Sequence, residues 1–180
     1  MPRTPDPHLE RQIAEASLRL VDAAGIAAVT LRAVAREAGT TTPTIYERFK
    51  NREELLHRVA RQAEIELLAA VRPAGTVRDF IERYVNFNLQ HPLRFDLTAD
   101  TFGFRLSAEH PMPVYDHLKE LLQSELQVTG SGREDLAMAI ASLALGTTRA
   151  IIAAGSTTPA AADLRRTTEA ALGLLLKTFS

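Results

Sequence analysis

TLRAVAREAGTTTPTIYERFKNREEL, residues 30–55, is the stretch that decides the fold. Its first part carries a helical apolar face made of Leu31, Val34, Ala35 and Ala38. Gly39 follows, and glycine readily adopts the left-handed backbone that a sharp turn between two helices requires. The threonines 40–42 then offer capping hydroxyls, and Pro43 suits the first turn of a helix. The spacing predicts two short helices across a tight turn, followed by the start of a third.

The second of these helices has one buried side and one outer side. Ile45 and Phe49 are four residues apart and must face the core. The outer side chains near its N-terminal end are Thr42, Thr44, Glu47 and Arg48. Side chains in this position of a helix-turn-helix can reach the major groove of DNA. The pattern therefore predicts a DNA-binding segment.

Local charge supports this prediction. Positions 30–52 hold five basic and two acidic residues, a net of +3, although the whole chain carries −1. Phosphate binding needs such a local excess. Asn51 can cap the third helix with Glu54 at its third position, so that Lys50 and Arg52 flank the positive end of a helix. These groups predict a phosphate clamp.

The segment AGTTTPTIYERFKNREEL, residues 38–55, resembles the DNA-binding signature of the TetR/AcrR family of bacterial transcriptional regulators. By motif order the resemblance covers roughly residues 9–60. Thr40 is a departure, because the family usually has an aliphatic residue there, and the local core is slightly weakened.

The resemblance implies roles for nine residues of this chain. It implies that Thr30 and Thr41 cap helices against phosphates, and that Tyr46, Lys50 and Arg52 bind phosphates. It also implies that four residues face the bases, namely Thr42, Pro43, Thr44 and Arg48. The structural alternative is a common helical hairpin whose arginines form a solvated face.

Composition and periodicity predict an all-α protein of two domains. The 180 residues are 46% hydrophobic, and no strand pattern or internal repeat is visible. We predict a three-helix helix-turn-helix DNA-binding domain over 8–56 and a larger helical ligand-binding and dimerisation domain over 57–180. The helix capped by Asn51 should continue to about Val71 and could link the two mechanically. Without cysteines or a recognisable signal peptide, the expected location is the cytoplasm.

Aromatic residues crowd the first part of the second domain, where we expect a small-molecule site. An aromatic stripe at helical spacing is also what ordinary core provides. The candidate ligand-binding residues are Phe80, Tyr84, Phe87, Asn88, Phe95, Phe102, Phe104, Tyr115 and Arg149. The effector is expected to be apolar or aromatic.

The segment 136–154 is apolar or small at nearly every position. A membrane span is one explanation, but Gly146 and Arg149 interrupt the run, and burial on two sides of a soluble protein accounts for it better. The last helix also has two apolar stripes, which indicates a four-helix dimer interface, as TetR-type regulators form with their last two helices. The candidate interface residues are Ile140, Ala144, Thr148, Leu172, Leu176 and Phe179.

The sequence carries no phosphate-binding glycine loop, G-x-S-x-G turn or H-E-x-x-H motif, and we predict neither an enzyme, a cofactor nor a metal site. The predicted function is that of a homodimeric repressor released from a palindromic operator in double-stranded DNA by a small-molecule ligand, with no membrane partner. The alternative is a helical small-molecule-binding protein without operator function.

Overall fold

The structure, a computed structural model, describes residues 7–107 and 111–178, without the side chains of Pro7 and of residues 100–107. Within these ranges it contains α-helices and one 3-10 turn, Ile26–Ala28, but no strand, so the predicted all-α fold is confirmed. The helices are α1 Pro7–Ala24, α2 Leu31–Glu37, α3 Thr42–Tyr46, α4 Arg52–Val71, α5 Val77–Gln90, α6 Pro92–Ser107, α7 Pro113–Leu126, α8 Gly130–Ala154 and α9 Pro159–Thr178.

The helices form two compact units. One comprises Met1–Ile65 and Leu93–Thr101, and the other comprises Glu66–Pro92 and Phe102–Ser180. The division falls within α4 and again within α6, whereas we predicted a single boundary between residues 56 and 57. That boundary stays a prediction about which parts fold independently.

The first unit is built around α1 to α3 and the first part of α4. Its core contains fully buried residues from every one of these helices, namely Ile13, Val21, Val34, Ile45, Leu55 and Val59. Arg94 reaches Asp22 with both Nε and Nη2, at 2.6 and 2.5 Å, and so ties the start of α6 to α1. This small core fixes the orientation of α2 and α3.

The second unit packs α5, α7 and α9 around α8. The buried residues of α8 contact apolar side chains of the other three helices, and they are Leu136, Ala137, Ile140, Ala141, Ala144 and Ile151. By length and composition α8 alone, within the described residues, could cross a membrane. Eight of its 25 residues are buried in this unit, which accounts for part of the apolar run without a membrane.

The segment after Pro92 differs from our prediction. The glycine and prolines within 93–113 predict a short irregular helix and a loop, but α6 runs regularly from Pro92 to Ser107. Proline fits the first helical position, and Gly103 inside a helix costs only about 1 kcal/mol relative to alanine. A penalty of that size does not by itself end a 16-residue helix. The predicted helix from Asn51 to Val71 is confirmed as α4, with Asn51 as its cap.

Candidate nucleic-acid interface and ligand site

Side-chain caps fix the starts of the two short helices of the first unit. The Thr30 hydroxyl accepts a hydrogen bond from the Ala33 amide at 3.1 Å, and the Thr41 hydroxyl accepts one from the Thr44 amide at 3.3 Å. Gly39 lies between them with φ +64°, the left-handed conformation that the sequence predicted. Each helix start is therefore held by the side chain that precedes it.

The outer side of α3 presents a compact polar surface. Tyr46 is 59% exposed, although it follows the fully buried Ile45. Thr41, Pro43 and Lys50 are also exposed, whereas Thr42 and Thr44 are half-buried. The hydroxyls of Thr41 and Thr44 lie 2.8 Å apart. We call the set Thr41, Pro43, Thr44, Tyr46 and Lys50 the α3 surface.

Lys50 also belongs to the capped start of α4. Its amide donates to Glu54 Oε2 at 2.7 Å, and the Glu54 amide donates to Asn51 Oδ1 at 2.9 Å. This is a variant of the predicted capping box, because the carboxylate accepts from the residue before the cap. The Lys50 ammonium, left exposed, lies beside the positive end of a 20-residue helix.

Arg48 points back toward α1 rather than freely into solvent. Its side chain is only 21% exposed, and its Nη1 lies 4.0 Å from Glu10 Oε1. The same carboxylate group accepts from Arg58 Nη2 at 3.2 Å. Arg48 can therefore contact a base only if its guanidinium leaves Glu10, and the ion pair that it gives up is weak.

Arg52 makes two short contacts within the protein. Its Nε donates to the Val29 carbonyl at 2.7 Å and its Nη2 to the Ile26 carbonyl at 2.6 Å. These carbonyls end the turn just before the Thr30 cap, so Arg52 fixes the start of α4 against the start of α2. The sequence prediction gave Arg52 a phosphate contact only, and the spacing could not reveal this second role.

Charge around the α3 surface is more positive than the sequence count suggests. Glu37 is paired with Arg19, whose Nε lies 2.7 Å from Glu37 Oε1. Arg32 and Arg36 are exposed on α2. Neutralising one of the two acids of the segment leaves a larger local excess for phosphate groups.

An aromatic cluster occupies part of the second unit. The rings of Phe80 and Tyr84 stack with centroids 6.4 Å apart, and the His117 ring lies 5.9 Å from Phe80. Burial raises the pKa of the Tyr84 hydroxyl well above its ordinary value. Phe87 contacts the ring of His91 at 4.8 Å. The structure therefore brings Phe80 and Tyr84 together, with His117 as an additional member.

His117 is a residue that the ligand prediction missed. Its Nδ1 lies 3.4 Å from Glu120 Oε2, and its buried Nε2 has no hydrogen-bond partner within the described part of the chain. A buried nitrogen of this kind is normally satisfied by a water molecule or a ligand. The Asp116-His117 pair was visible in the sequence, but nothing in its spacing placed the imidazole against Phe80.

The other predicted ligand residues have different surroundings. The Asn88 amide donates to the Tyr84 carbonyl at 2.8 Å, and the Tyr115 hydroxyl donates to the Glu134 carbonyl at 3.3 Å. Burial, followed by the charges of Glu134, Asp116 and Asp135, raises the pKa of Tyr115. Phe95 belongs to the first unit, and Arg149 is exposed on α8. The side chains of Phe102 and Phe104 lie outside the described residues.

Most of the candidate interface residues are buried within the single chain, and their place in a dimer interface stays a prediction. In the single chain five of them are at most 8% exposed, because they face the core of their own subunit, namely Ile140, Ala144, Thr148, Leu172 and Leu176. Phe179 lies outside the described residues. Helical periodicity had identified the apolar stripes of α8 and α9 without showing which stripe faces inward. The larger apolar side chains that remain partly exposed on these helices include Leu145 and Ile152, which are half-buried, and Leu174, which is 68% exposed.

Comparison with known proteins supports the resemblance. Residues 13–59 match the family model described as "Bacterial regulatory proteins, tetR family". The fold is similar to SCO7222, a TetR from Streptomyces coelicolor, with TM-score 0.69, 18% identity, and coverage of 94% of this chain and 96% of that one. BioQ of Mycobacterium smegmatis gives TM-score 0.66 and 22% identity, with coverage of 94% of this chain and 96% of that one. A TetR-like transcriptional regulator from Rhodococcus sp. RHA1 gives TM-score 0.61 and 19% identity, with coverage of 95% of this chain and 99% of that one. No curated protein matches the sequence.

Proposed function

We propose that this chain is a DNA-binding transcriptional regulator of the TetR family, which acts as a homodimeric repressor on a palindromic operator and is released by a small effector. The observation that carries the DNA-binding part is the α3 surface. Two capped helices and a glycine turn hold an exposed tyrosine, an exposed lysine and threonine hydroxyls on one side of a rigid core. Repression, a palindromic operator and release by an effector are further parts of the proposal, which go beyond DNA binding itself.

In this proposal each side chain of the α3 surface has a defined task on DNA. Tyr46 and Lys50 bind phosphates and set the register, while Pro43 and Thr44, with the half-buried Thr42, face the base edges. Thr30 and Thr41 keep the helix starts aimed at the phosphates. Arg48 reads a base once its contact with Glu10 is exchanged, and Arg52 acts mainly by fixing the turn.

The proposed dimer uses the outward sides of α8 and α9. Leu145 and Ile152 lie two helical turns apart on α8. In the described part of the chain, Leu174 is the most exposed large apolar residue. Half-buried apolar residues on α8 beside an exposed leucine on α9 are suited to a two-fold interface in which each helix pair packs on its copy. A two-fold dimer places two α3 surfaces about 34 to 36 Å apart, or a multiple of that spacing, for successive major grooves.

The proposed effector site is the aromatic cluster of Phe80, Tyr84 and His117. An apolar or aromatic molecule would stack on these rings and could hydrogen-bond the buried His117 Nε2. The α4 helix runs from the DNA-binding unit into the sequence of the second unit, so it is the covalent route for coupling. Release follows only if the effector binds the DNA-free state more tightly than the DNA-bound state. The proposed compartment is the cytoplasm.

Selection from a random pool of duplex DNA, using the purified protein, tests this function. The expected result is enrichment of a two-fold symmetric sequence, whose affinity falls steeply as salt rises. Tyr46→Phe should weaken all sequences about equally, whereas Thr44→Ala should relax preference at one base position. Absence of any enriched sequence would favour the alternative, a helical small-molecule-binding protein without an operator.

A further inference from the structure

A cavity of about 520 Å³ opens between α5, α8 and α9 in the second unit. Small-molecule sites in proteins typically have volumes of about 300 to 1,000 Å³. The residues that line it are Thr76, Arg78, Asp79, Ile81, Glu82, Val85, Thr147, Arg165, Thr168 and Glu169. None of the aromatic residues assigned above to the effector site belongs to this lining.

Two side-chain bridges between α5 and α9 cross the rim of the cavity. Arg78 forms an ion pair with Glu169, and Arg165 Nη1 donates to Asn86 Oδ1 at 3.2 Å. Arg78, Glu82 and Asn86 follow one another at intervals of four residues, so they share one side of α5. Glu82 therefore lies between the two bridges, one helical turn from each.

Glu82 and Arg165, both exposed at the opening of the cavity, are the charged lining residues without an ion-pair partner in the described part of the chain. Within the described part of the chain, the Glu82 carboxylate has no ion-pair or hydrogen-bond partner, and the Arg165 guanidinium is bound only to the neutral Asn86. The remaining lining charges are paired, since Asp79 Oδ1 lies 2.7 Å from Arg83 Nε and Glu169 binds Arg78. Glu82 and Arg165 are themselves beyond the ion-pair distance of 4.0 Å. One negative and one positive group thus line the cavity without neutralising each other.

The deepest lining combines hydroxyls with aliphatic side chains. The Thr147 and Thr168 hydroxyls lie 2.6 Å apart, and each residue is only 8% exposed. One hydroxyl proton is used in this bond, and the other has no acceptor among the described residues. Ile81 and Val85, 6% and 4% exposed, supply the apolar part. A buried donor of this kind requires an acceptor from a ligand or a water molecule.

We propose that this cavity binds a small zwitterion of the α-amino acid type with an aliphatic side chain. The ammonium group binds the Glu82 carboxylate, and the carboxylate binds the guanidinium N–H groups that Arg165 does not use. The spare hydroxyl proton of the Thr147 and Thr168 pair is donated to the same carboxylate. The aliphatic chain contacts Ile81 and Val85. A molecule with a single charge would contact only one of these two exposed groups and would leave the other to water.

Isothermal titration calorimetry of the full chain with L-leucine tests this proposal. Two probes serve as controls, because 4-methylpentanoate lacks the ammonium group and 3-methylbutylamine lacks the carboxylate. L-leucine should bind at least about 3- to 10-fold more tightly than either control probe. If neither L-leucine nor a control probe binds at millimolar concentration, or if a control probe binds as tightly as L-leucine, the proposal is wrong.

Protein variants locate the binding. Glu82→Gln and Arg165→Gln should each weaken L-leucine binding by about 3- to 10-fold. Glu82→Gln should reduce the advantage of L-leucine over 4-methylpentanoate, and Arg165→Gln should reduce its advantage over 3-methylbutylamine. Arg166→Gln, which alters an exposed neighbour paired with Asp163, should leave binding unchanged. Thermal unfolding of each variant confirms that it is folded. Equal binding by Glu82→Gln, Arg165→Gln and the native chain would place the ligand elsewhere. The titration contains no DNA, so its failure would leave the operator proposal intact.

Discussion

Replacing Arg52 separates a structural role from a phosphate contact. Its guanidinium donates to the carbonyls of Val29 and Ile26 at 2.7 and 2.6 Å, one contact part-buried and the other exposed. A hydrogen bond from a charged donor contributes about 1.5 to 3 kcal/mol, and water can replace an exposed one almost fully. We therefore expect Arg52→Gln to lower the free energy of unfolding by about 1 to 2 kcal/mol. Arg52→Lys should lose nearly as much, because one ammonium cannot span both carbonyls.

Urea unfolding and salt-dependent DNA titration give the two readouts. Both variants should unfold at lower urea concentration, while Arg52→Lys keeps the salt slope of DNA binding, since its charge remains. Arg36→Lys, at an exposed position of α2, is the matched control and should change neither. If Arg52→Lys were as stable as the native chain, and Arg52→Gln reduced only the salt slope by about one unit, Arg52 would be a phosphate ligand and the structural role would be refuted.

Three further variants test the turn, the dimer and the buried tyrosine. Gly39→Ala should cost about 1 to 2 kcal/mol in urea unfolding through its φ of +64° alone, because no atom lies within 4 Å of the added methyl group; an unchanged midpoint would contradict this. Leu174→Glu should sediment as a monomer in analytical ultracentrifugation, while Ala162→Glu, on another side of α9, stays a dimer; a dimeric Leu174→Glu would refute the interface. The pKa of Tyr84 is raised in the folded state, so only the unfolded tyrosine ionises near its ordinary value of 10.0, and stability should fall as pH rises past that value, by up to about 1.4 kcal/mol per pH unit. Tyr84→Phe should show a smaller loss in urea unfolding from about pH 9 to about pH 11, and an equal loss would place the effect elsewhere.

The helix-turn-helix was predictable from the sequence because its signals are local. A glycine in a left-handed turn, threonine caps and the spacing of Ile45 and Phe49 each depend on a few neighbouring residues. The structure contains all of these features, and residues 13–59 match the tetR family model. The α4 helix was predictable for the same reason, since its cap and apolar repeat are both local.

The second unit was harder to predict because its contacts are between distant residues. Periodicity shows that a helix has apolar stripes, but it does not show that Ile140 and Leu172 pack in the core of the single chain, which only the packing reveals. The cavity beside Glu82 has no motif either, because its lining comes from three helices. Arg52 was placed correctly at the start of α4, while its carbonyl partners on the preceding turn lie more than twenty residues away.

In the proposed homodimer, two α3 surfaces bind one symmetric operator. The most direct test compares the affinity of the native chain for three duplexes of equal length: the selected two-fold site, the same site with one half scrambled, and an unrelated sequence. We predict that the full site binds one dimer and far more tightly than the half-scrambled site, which in turn binds more tightly than the unrelated duplex. Equal affinities for all three duplexes at one salt concentration would contradict the account.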